Sequence, residues 1–363
     1  MIPARLSTLI TTTVLLLATL TGRNCATAQS PAMVEFSALG KTQMGLPLLK
    51  LAHETVILGR DGWMHSLNPK SSSSQIRQTN QPYEPISVTE LRNELRAEFR
   101  HGFEVLATKN FLVVQPEGRG NRWPTLFEQS HRGFTDYMTK RGVNVREGRF
   151  PMVAIVLPDE NAMYREFNKL DIEVRRVAGL YSGESNRVMT HEGGNREQTA
   201  ATVRHEAAHQ SAYNSGVHSR LSETPRWISE GIGQMFEPAG MTNARSSTRL
   251  NDRINQESVG FIKQTYSGRD DHRFAQSVMQ LISDNTMFEN PNQVSEAYHV
   301  AWAMMFYLAE RESPKFANLL NTTASRPAFR DYPRADRIKD FERIVGCEVM
   351  EFSKKVSWWI QSI

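Results

Sequence analysis

The sequence predicts an α+β protein, and three observations carry that expectation. Short apolar, β-branched runs with turn signals, which read as strands, all lie before about residue 197. From about Gln198 the pattern is mostly helical. No internal repeat interrupts that order, and strands first with helices after is the α+β arrangement rather than the alternation of a parallel α/β fold. Hydrophobic residues make up 39% and charged residues 23% of the 363, which supplies a core and excludes bulk disorder. A formal net charge of +4 is too mild to argue for a nucleic-acid partner. Two cysteines exclude a disulfide-built scaffold and a cysteine-rich metal site.

Residues 1–28 read as a cleavable signal peptide. Arg5 gives a positive start, Leu6 to Leu20 an apolar stretch, and Ala26-Thr27-Ala28 a small-residue site that predicts cleavage after Ala28. An uncleaved anchor is the alternative, but about 15 residues interrupted by threonines fall short of the roughly 20 that a span needs. A lipoprotein reading of Cys25 fails because Arg23-Asn24 precede it where small residues are needed. Cleavage removes Arg5, Arg23 and no acid, which lowers the net charge from +4 to +2, and leaves Cys347 as the one cysteine. The expected location is periplasmic or extracellular. No later stretch is long and apolar enough to span a membrane, so no stable insertion is expected after cleavage.

Residues 29–67 read as a small β module, with Asp61-Gly62 as a hairpin turn between Val56-Ile57-Leu58 and Trp63-Met64. Residues 68–86 are Ser-, Gln- and Pro-rich and unpatterned, which predicts a linker. The main domain is expected over 87–363, with its sheet part at about 87–197 and its helical part at about 198–363. Ser87-Val88-Thr89-Glu90 is a capping-box pattern that opens a short helix. Phe103 to Thr108 and Phe111 to Gln115 flank Lys109-Asn110 as a tight hairpin, and Leu126 to Arg141 has a helical apolar face. Met152 to Leu157, apolar throughout and bounded by Pro151 and Pro158, predicts a buried central strand. A helix follows from Ala162 to Leu170. Leu180 to Ser182 and Arg187 to Thr190 flank Gly183-Glu184-Ser185-Asn186 as a further hairpin. Helical signals close the chain at Ile338 to Ile344 and Val349 to Ile360.

His205-Glu206-Ala207-Ala208-His209 is an H-E-x-x-H motif. In a helix, residues four apart share one face, so both imidazoles can reach one metal ion while Glu206 stands beside a water at that ion. The surrounding Thr199 to Tyr213 is Ala-rich and free of Pro and Gly, which is the helix the motif requires. The alternative is a helix that merely carries two histidines. Imidazole ligands suit Zn²⁺, and a carboxylate beside the water can take its proton as general base.

A catalytic zinc needs a third protein ligand. A metzincin would have Gly and His where this chain has Ala212 and Ser215. Downstream, Pro225 can open a second helix bearing Glu230, which lies 21 residues after His209, about the separation used by gluzincins such as thermolysin. Glu223 competes at shorter range. Glu230 is preferred because Trp227 and Ile228 anchor its helix and Gly231 leaves room beside the metal.

EAAHQSAYNSGVHSR followed by PRWISEGIGQMFE resembles the uncharacterised bacterial domain-of-unknown-function family 1570. That family looks like a gluzincin-type, peptidase-MA-like group of metallopeptidases. The resemblance extends upstream through FEVLATKNFLVVQP, FPMVAIVLP and GLYSGESNRVMTHE, and downstream through EAYHVAWAMMFYL and FERIVGCEVMEF, over roughly residues 95–355. It implies a zincin-like domain, a mixed or antiparallel sheet followed by a mostly helical half. It also implies His205, His209 and Glu230 as metal ligands and Glu206 as base. Thermolysin-like enzymes keep an acid four residues after the Glu ligand; here that place holds Gln234, and Glu237 is the substitute candidate. Tyr298 occupies roughly the place of the oxyanion-supporting Tyr of aminopeptidase N-like enzymes, with His218 and His299 as rivals. The hairpin before the motif would offer an edge strand to a substrate backbone.

The remaining candidates have plainer readings. His191 is expected to be a surface residue, and Trp227, Trp302, Phe306 and Tyr307 to be core rather than a substrate box. The expected function is hydrolysis of a peptide bond in a peptide or protein substrate by an exported zinc enzyme. A non-catalytic binding protein that retains the site is the alternative, and an enzyme acting on another amide, for example in cell-wall peptide, is a third.

Overall fold

The structure, a computed structural model, describes residues 31–68, 76–170, 172, 177–193, 195–242, 249–266, 268 and 270–363. The expected signal peptide, with Cys25, lies outside the described residues. The chain divides into two units, Met1–Ile86 with Arg165–Arg176, and Ser87–Tyr164 with Val177–Ile363.

The first unit is an antiparallel sheet. Its strands are β1 (Ala32–Ala38), β2 (Lys41–Lys50), β3 (Thr55–Gly59), β4 (Met64–Leu67) and β5 (Ile76–Pro82), in the order β4-β3-β2-β1-β5. The expected hairpin at Asp61-Gly62 joins β3 to β4, with the Asp61 carboxylate accepting from Trp63 N at 3.0 Å. The expected linker is corrected over residues 76–86, while residues 69–75 lie outside the described residues. Ile76–Pro82 is a strand that pairs antiparallel with β1, and Tyr83 and Ile86 are buried, with the Tyr83 hydroxyl donating to Gly59 O. An edge strand needs few apolar side chains. Ile76 joins the Val34, Phe36 and Ile57 cluster, Thr79 Oγ1 donates to Met33 O, and the polar side chains of Arg77, Gln78, Asn80 and Gln81 face solvent.

The second unit opens with α1 (Val88–Glu98), capped as expected by the Ser87 hydroxyl, which accepts from Glu90 N. Then come β6 (Phe103–Ala107), β7 (Phe111–Pro116), α2 (Arg122–Lys140), β8 (Met152–Leu157) and α3 (Glu160–Lys169), the last crossing the division at Arg165. Strands β9 (Gly179–Ser182) and β10 (Arg187–His191) complete a mixed sheet of order β6-β7-β8-β10-β9. Its three inner strands are parallel, and β6 and β9 run antiparallel at the edges. The apolar run Met152–Leu157 is central and buried throughout, as a strand covered on both faces must be. One alternating set of side chains, Phe111, Val113, Met152, Ala154, Val156 and Val188, meets α2 and the next helix, α4 (Arg196–Asn214), through Trp123, Phe127, Val203 and Ala207.

Helices follow without further strands among the described residues. They are α5 (Arg226–Phe236), a 3-10 turn at Ala239–Thr242, α6 (Leu250–Arg253), α7 (Gln256–Thr265), α8 (His272–Ser283), α9 (Thr286–Glu289), α10 (Val294–Arg311), α11 (Ser313–Ala324), α12 (Arg334–Val345) and α13 (Val349–Ser362). With its two sheets and thirteen described α-helices the protein is α+β. The largest core cluster lies among these helices and contains Trp227, Trp302, Phe306 and Tyr307, so the aromatic residues are core as expected. α10 belongs to this cluster and is buried from His299 to Ala309. No described helix is long and apolar enough to cross a membrane.

Candidate metal centre

α4 is shared by two cores, and that is what isolates its polar face. Asn195 caps it, the side chain accepting from Glu197 N and Gln198 N. Val203 and Ala207 face the sheet, Ala208 and Ala212 face the helical core, and His205, Glu206 and His209 are buried on the remaining side. Gln210, fully buried, ties the helix down: its Nε2 donates to Val153 O of β8 at 3.0 Å and to Asn186 O at 2.8 Å. Asn186 lies in the β9–β10 turn at φ 58°. Its side-chain amide is paired with that of Asn214, and its Oδ1 accepts from the Tyr181 hydroxyl at 2.9 Å.

α5 brings the third residue. Pro225 stands at its N-cap, and Trp227 and Ile228 are buried in the helical core, as the sequence implied. Glu230 Oε2 then lies 3.4 Å from His205 Nε2 and 3.4 Å from His209 Nε2, while the two Nε2 atoms are 3.0 Å apart. Among the described residues these three form the one group of His, Cys, Asp and Glu side chains whose atoms could hold a metal ion. A tetrahedral zinc ion with bonds of about 2.0–2.1 Å keeps its donors about 3.3 Å apart, which matches the triangle.

The supporting contacts fit the same use. Glu237 Oε1 lies 2.9 Å from His205 Nδ1. A carboxylate there can only accept, so it draws the ring proton to Nδ1 and leaves Nε2 a lone pair. Gln234, standing where an acid was expected, donates to Glu237 Oε1 at 2.8 Å, and Asn255 donates to Glu237 Oε2 at 3.0 Å. The departure at Gln234 is therefore absorbed one turn on: the amide holds the acid that holds the imidazole. Arg204 donates to Glu237 O and pins the end of α5 to α4.

Charge follows this arrangement. Burial alone would raise the Glu230 carboxyl, but the His205 and His209 imidazoles outweigh it and hold the group well below the usual carboxylate range. Burial alone would lower His205, and hydrogen bonding to Glu230 and Glu237 reverses that, raising its affinity for a proton well above that of an ordinary imidazole. Glu206 Oε2 accepts from the backbone N–H of Tyr181 at 2.6 Å. That N–H belongs to β9, the sheet edge, so the edge strand itself fixes the carboxylate.

Two glycines make the close approaches possible. A Cβ on Gly233 would sit 2.5 Å from the His205 ring, and one on Gly179 would sit 3.0 Å from Glu206 Cγ and 2.7 Å from Thr202 Cγ2. The space expected of Gly231 is corrected: its missing Cβ would meet Ala301 O at 2.6 Å, so it serves the packing of α5 on α10. The clearance beside the imidazole comes from Gly233.

Of the three oxyanion candidates, Tyr298 has its ring 6.4 Å from that of His205. The Glu230 charge and burial both hold its hydroxyl protonated. His218 is buried against Tyr213, ring centres 5.2 Å apart, and burial with the His209 charge pulls it down to about 3. His299 is tied to α7 instead, with Nδ1 3.0 Å from Ser258 Oγ and its ring against Phe261. Glu223, the rival third ligand, is taken up by Arg337 and by Tyr332 N. His191 ends β10 and belongs to no described metal group.

Two neighbours went unread in the sequence although helix spacing points to them. Arg226 precedes Glu230 by four residues, and its Nε lies 3.4 Å from Glu230 Oε1. Tyr213 follows His209 by four residues. Burial and the Glu230 charge push its hydroxyl up to about 12, and its ring stacks on Tyr181. Asn255 and Tyr181 N–H carry no such sequence signal.

No curated protein matches the chain in sequence. Residues 199–330, a narrower span than the roughly 95–355 over which the motifs were compared, match the family model described as "Protein of unknown function (DUF1570)". That segment contains His205, Glu206, His209, Glu230, Glu237 and Tyr298, so the candidate centre lies within the part of the chain that carries the domain-of-unknown-function match.

Proposed function

We propose that the second unit is a zincin-like, gluzincin-type metallopeptidase domain that hydrolyses a peptide bond, and that the protein is exported to do so. The triangle of donor atoms from His205, His209 and Glu230 carries this reading, because its edges of 3.0, 3.4 and 3.4 Å suit one tetrahedral ion. Zinc bound there would supply a polarised carbonyl and a water of lowered pKa.

The chain's own residues have distinct work. Glu206 has one oxygen engaged by Tyr181 N–H, so Oε1 is the oxygen available to take a proton from water and pass it to a leaving amine. Tyr298, kept protonated by Glu230, can donate its hydroxyl proton to the developing oxyanion. Glu237 keeps His205 in one tautomer and one orientation. β9, an edge strand beside Glu206, is available to align an extended substrate backbone. Removing one proton-transfer group typically costs about 10²–10⁴-fold in rate.

The test is a peptide-library digest with the zinc-loaded chain beside Glu206→Gln at matched zinc content. Cleavage by the wild type, reduced at least a hundredfold in the variant, is the expected result. Equal cleavage by both would reject Glu206 as base, and no cleavage by either would leave a binding protein with a metal site.

A further inference from the structure

Beside the metal group stands a guanidinium that its neighbours do not use up. Arg226 offers five N–H donors in a rigid fork. Among the described residues its one ion-pair contact is the long 3.4 Å approach to Glu230 Oε1. The guanidinium also bears on the Tyr298 hydroxyl. Its carbon lies 5.0 Å from the centre of the Phe288 ring, whose other neighbour is Tyr298 at 5.4 Å. The Arg226 side chain is 34% exposed, against 14% for Glu230.

Nearby Arg337 shows the contrast. It is buried and each of its three nitrogens has an acceptor, Nε donating to Tyr332 O, Nη1 to Asn285 Oδ1 and Nη2 to the Glu223 carboxylate. Arg226 is oriented by an aromatic face, which fixes the fork without consuming its donors. Glu230 turns its other oxygen to the two imidazoles, and any cation held there draws on the same negative charge. A divalent ion held by Glu230 and the two imidazoles would offset that carboxylate's charge and leave the Arg226 guanidinium without its counter-charge. The partly exposed guanidinium is then electrostatically matched to an anion.

We propose that Arg226 is the carboxylate-recognising residue of this site, so that the preferred substrates are peptides bearing a carboxylate next to the bond acted on. This rests on the metallopeptidase reading above. The carboxylate is either the substrate's own C-terminus or an Asp or Glu side chain, since both present the planar pair of oxygens that a guanidinium fork grips in two parallel hydrogen bonds.

The test is calorimetric titration of the zinc-loaded full chain with three dipeptide hydroxamates. One ends in a free carboxylate, one in an amide, and one in an amide but with an Asp side chain. A carboxylate in one of the two places should tighten binding about tenfold or more over the plain amide. Arg226→Gln should abolish that gain while keeping the zinc content and the affinity for the plain amide. The carboxylate probe that gains identifies the source.

Equal affinity for all three probes, or a gain that survives in Arg226→Gln, overturns the proposal. Loss of zinc in Arg226→Gln overturns it too, because the residue would then act by supporting Glu230. If the wild type takes up no zinc, the proposed function fails separately. The subsite is then read on the metal-free chain from the Arg226 side-chain NMR signal. A shift with acetyl-Gly-Phe and none with its amide upholds the subsite, and an equal response to both rejects it.

Discussion

Glu310 and Glu230 are both carboxylates buried in the helical half, and they are neutralised in opposite ways. Glu310 receives the Tyr137 hydroxyl at 2.8 Å, Arg141 Nη2 at 2.6 Å, and Arg253 through Nε at 3.1 Å and Nη2 at 2.9 Å. Its cations are part of the chain, and the cluster clips α2, α6 and α10 together. Glu230 faces two imidazole nitrogens at 3.4 Å and one guanidinium at 3.4 Å. One of those imidazoles is already oriented by Glu237 so as to present a lone pair. The first cluster is complete as folded, whereas the proposed function has the second completed by a cation from outside. A buried charge among full partners serves the fold, whereas converging lone pairs serve a ligand.

The comparison is broken most strongly at Glu310. Glu310→Ala leaves two half-buried arginines short of their acceptor and should cost about 1.5–3 kcal/mol in urea unfolding, with zinc affinity unchanged. Burial would raise the Glu310 carboxyl, but Arg253 and Arg141 hold it below its ordinary value of 4.5. Its contribution is therefore complete above the unfolded value and is lost as pH falls through the lower folded value. Glu310→Gln should flatten that acid limb of the stability profile.

At the other cluster, Glu237→Gln should lower zinc affinity about 10- to 100-fold, measured by competition with a chelator, with little change in metal-free stability. A weaker contrast separates two glycines on one helix. Gly231→Ala pushes a methyl group against the α10 backbone and should cost about 1–3 kcal/mol of stability while sparing zinc. Gly233→Ala pushes one into the His205 ring and should weaken zinc binding while leaving the fold intact. If both variants lose stability alone, or zinc alone, the division between packing and site is wrong.

Much of this was legible in the residue order. The hairpins at Asp61-Gly62 and Lys109-Asn110, the buried strand Met152–Leu157 and the helix around H-E-x-x-H all follow from local periodicity and turn chemistry. Glu230 was legible because a proline and two large apolar residues fix its helix. Strand β5 was not, because at a sheet edge the backbone supplies the pairing and a polar stretch resembles a linker. The room beside the imidazole was assigned to Gly231 rather than Gly233 because helix spacing gives a direction only once the partner helix is known. Tyr181 escaped because its contribution is a backbone N–H, which no side-chain motif encodes. Arg226 and Tyr213 were within reach, four residues from recognised positions, on the same helical faces.

The central claim is that His205, His209 and Glu230 jointly hold one zinc ion. Metal content of the purified chain after zinc reconstitution and removal of excess metal tests it, with wild type beside Glu230→Ala and Glu206→Gln. The account predicts about one zinc per chain in the wild type, as expected of three protein ligands and an open position. It predicts the same content in Glu206→Gln and loss in Glu230→Ala. No zinc in the reconstituted wild type, or undiminished zinc in Glu230→Ala, would contradict it.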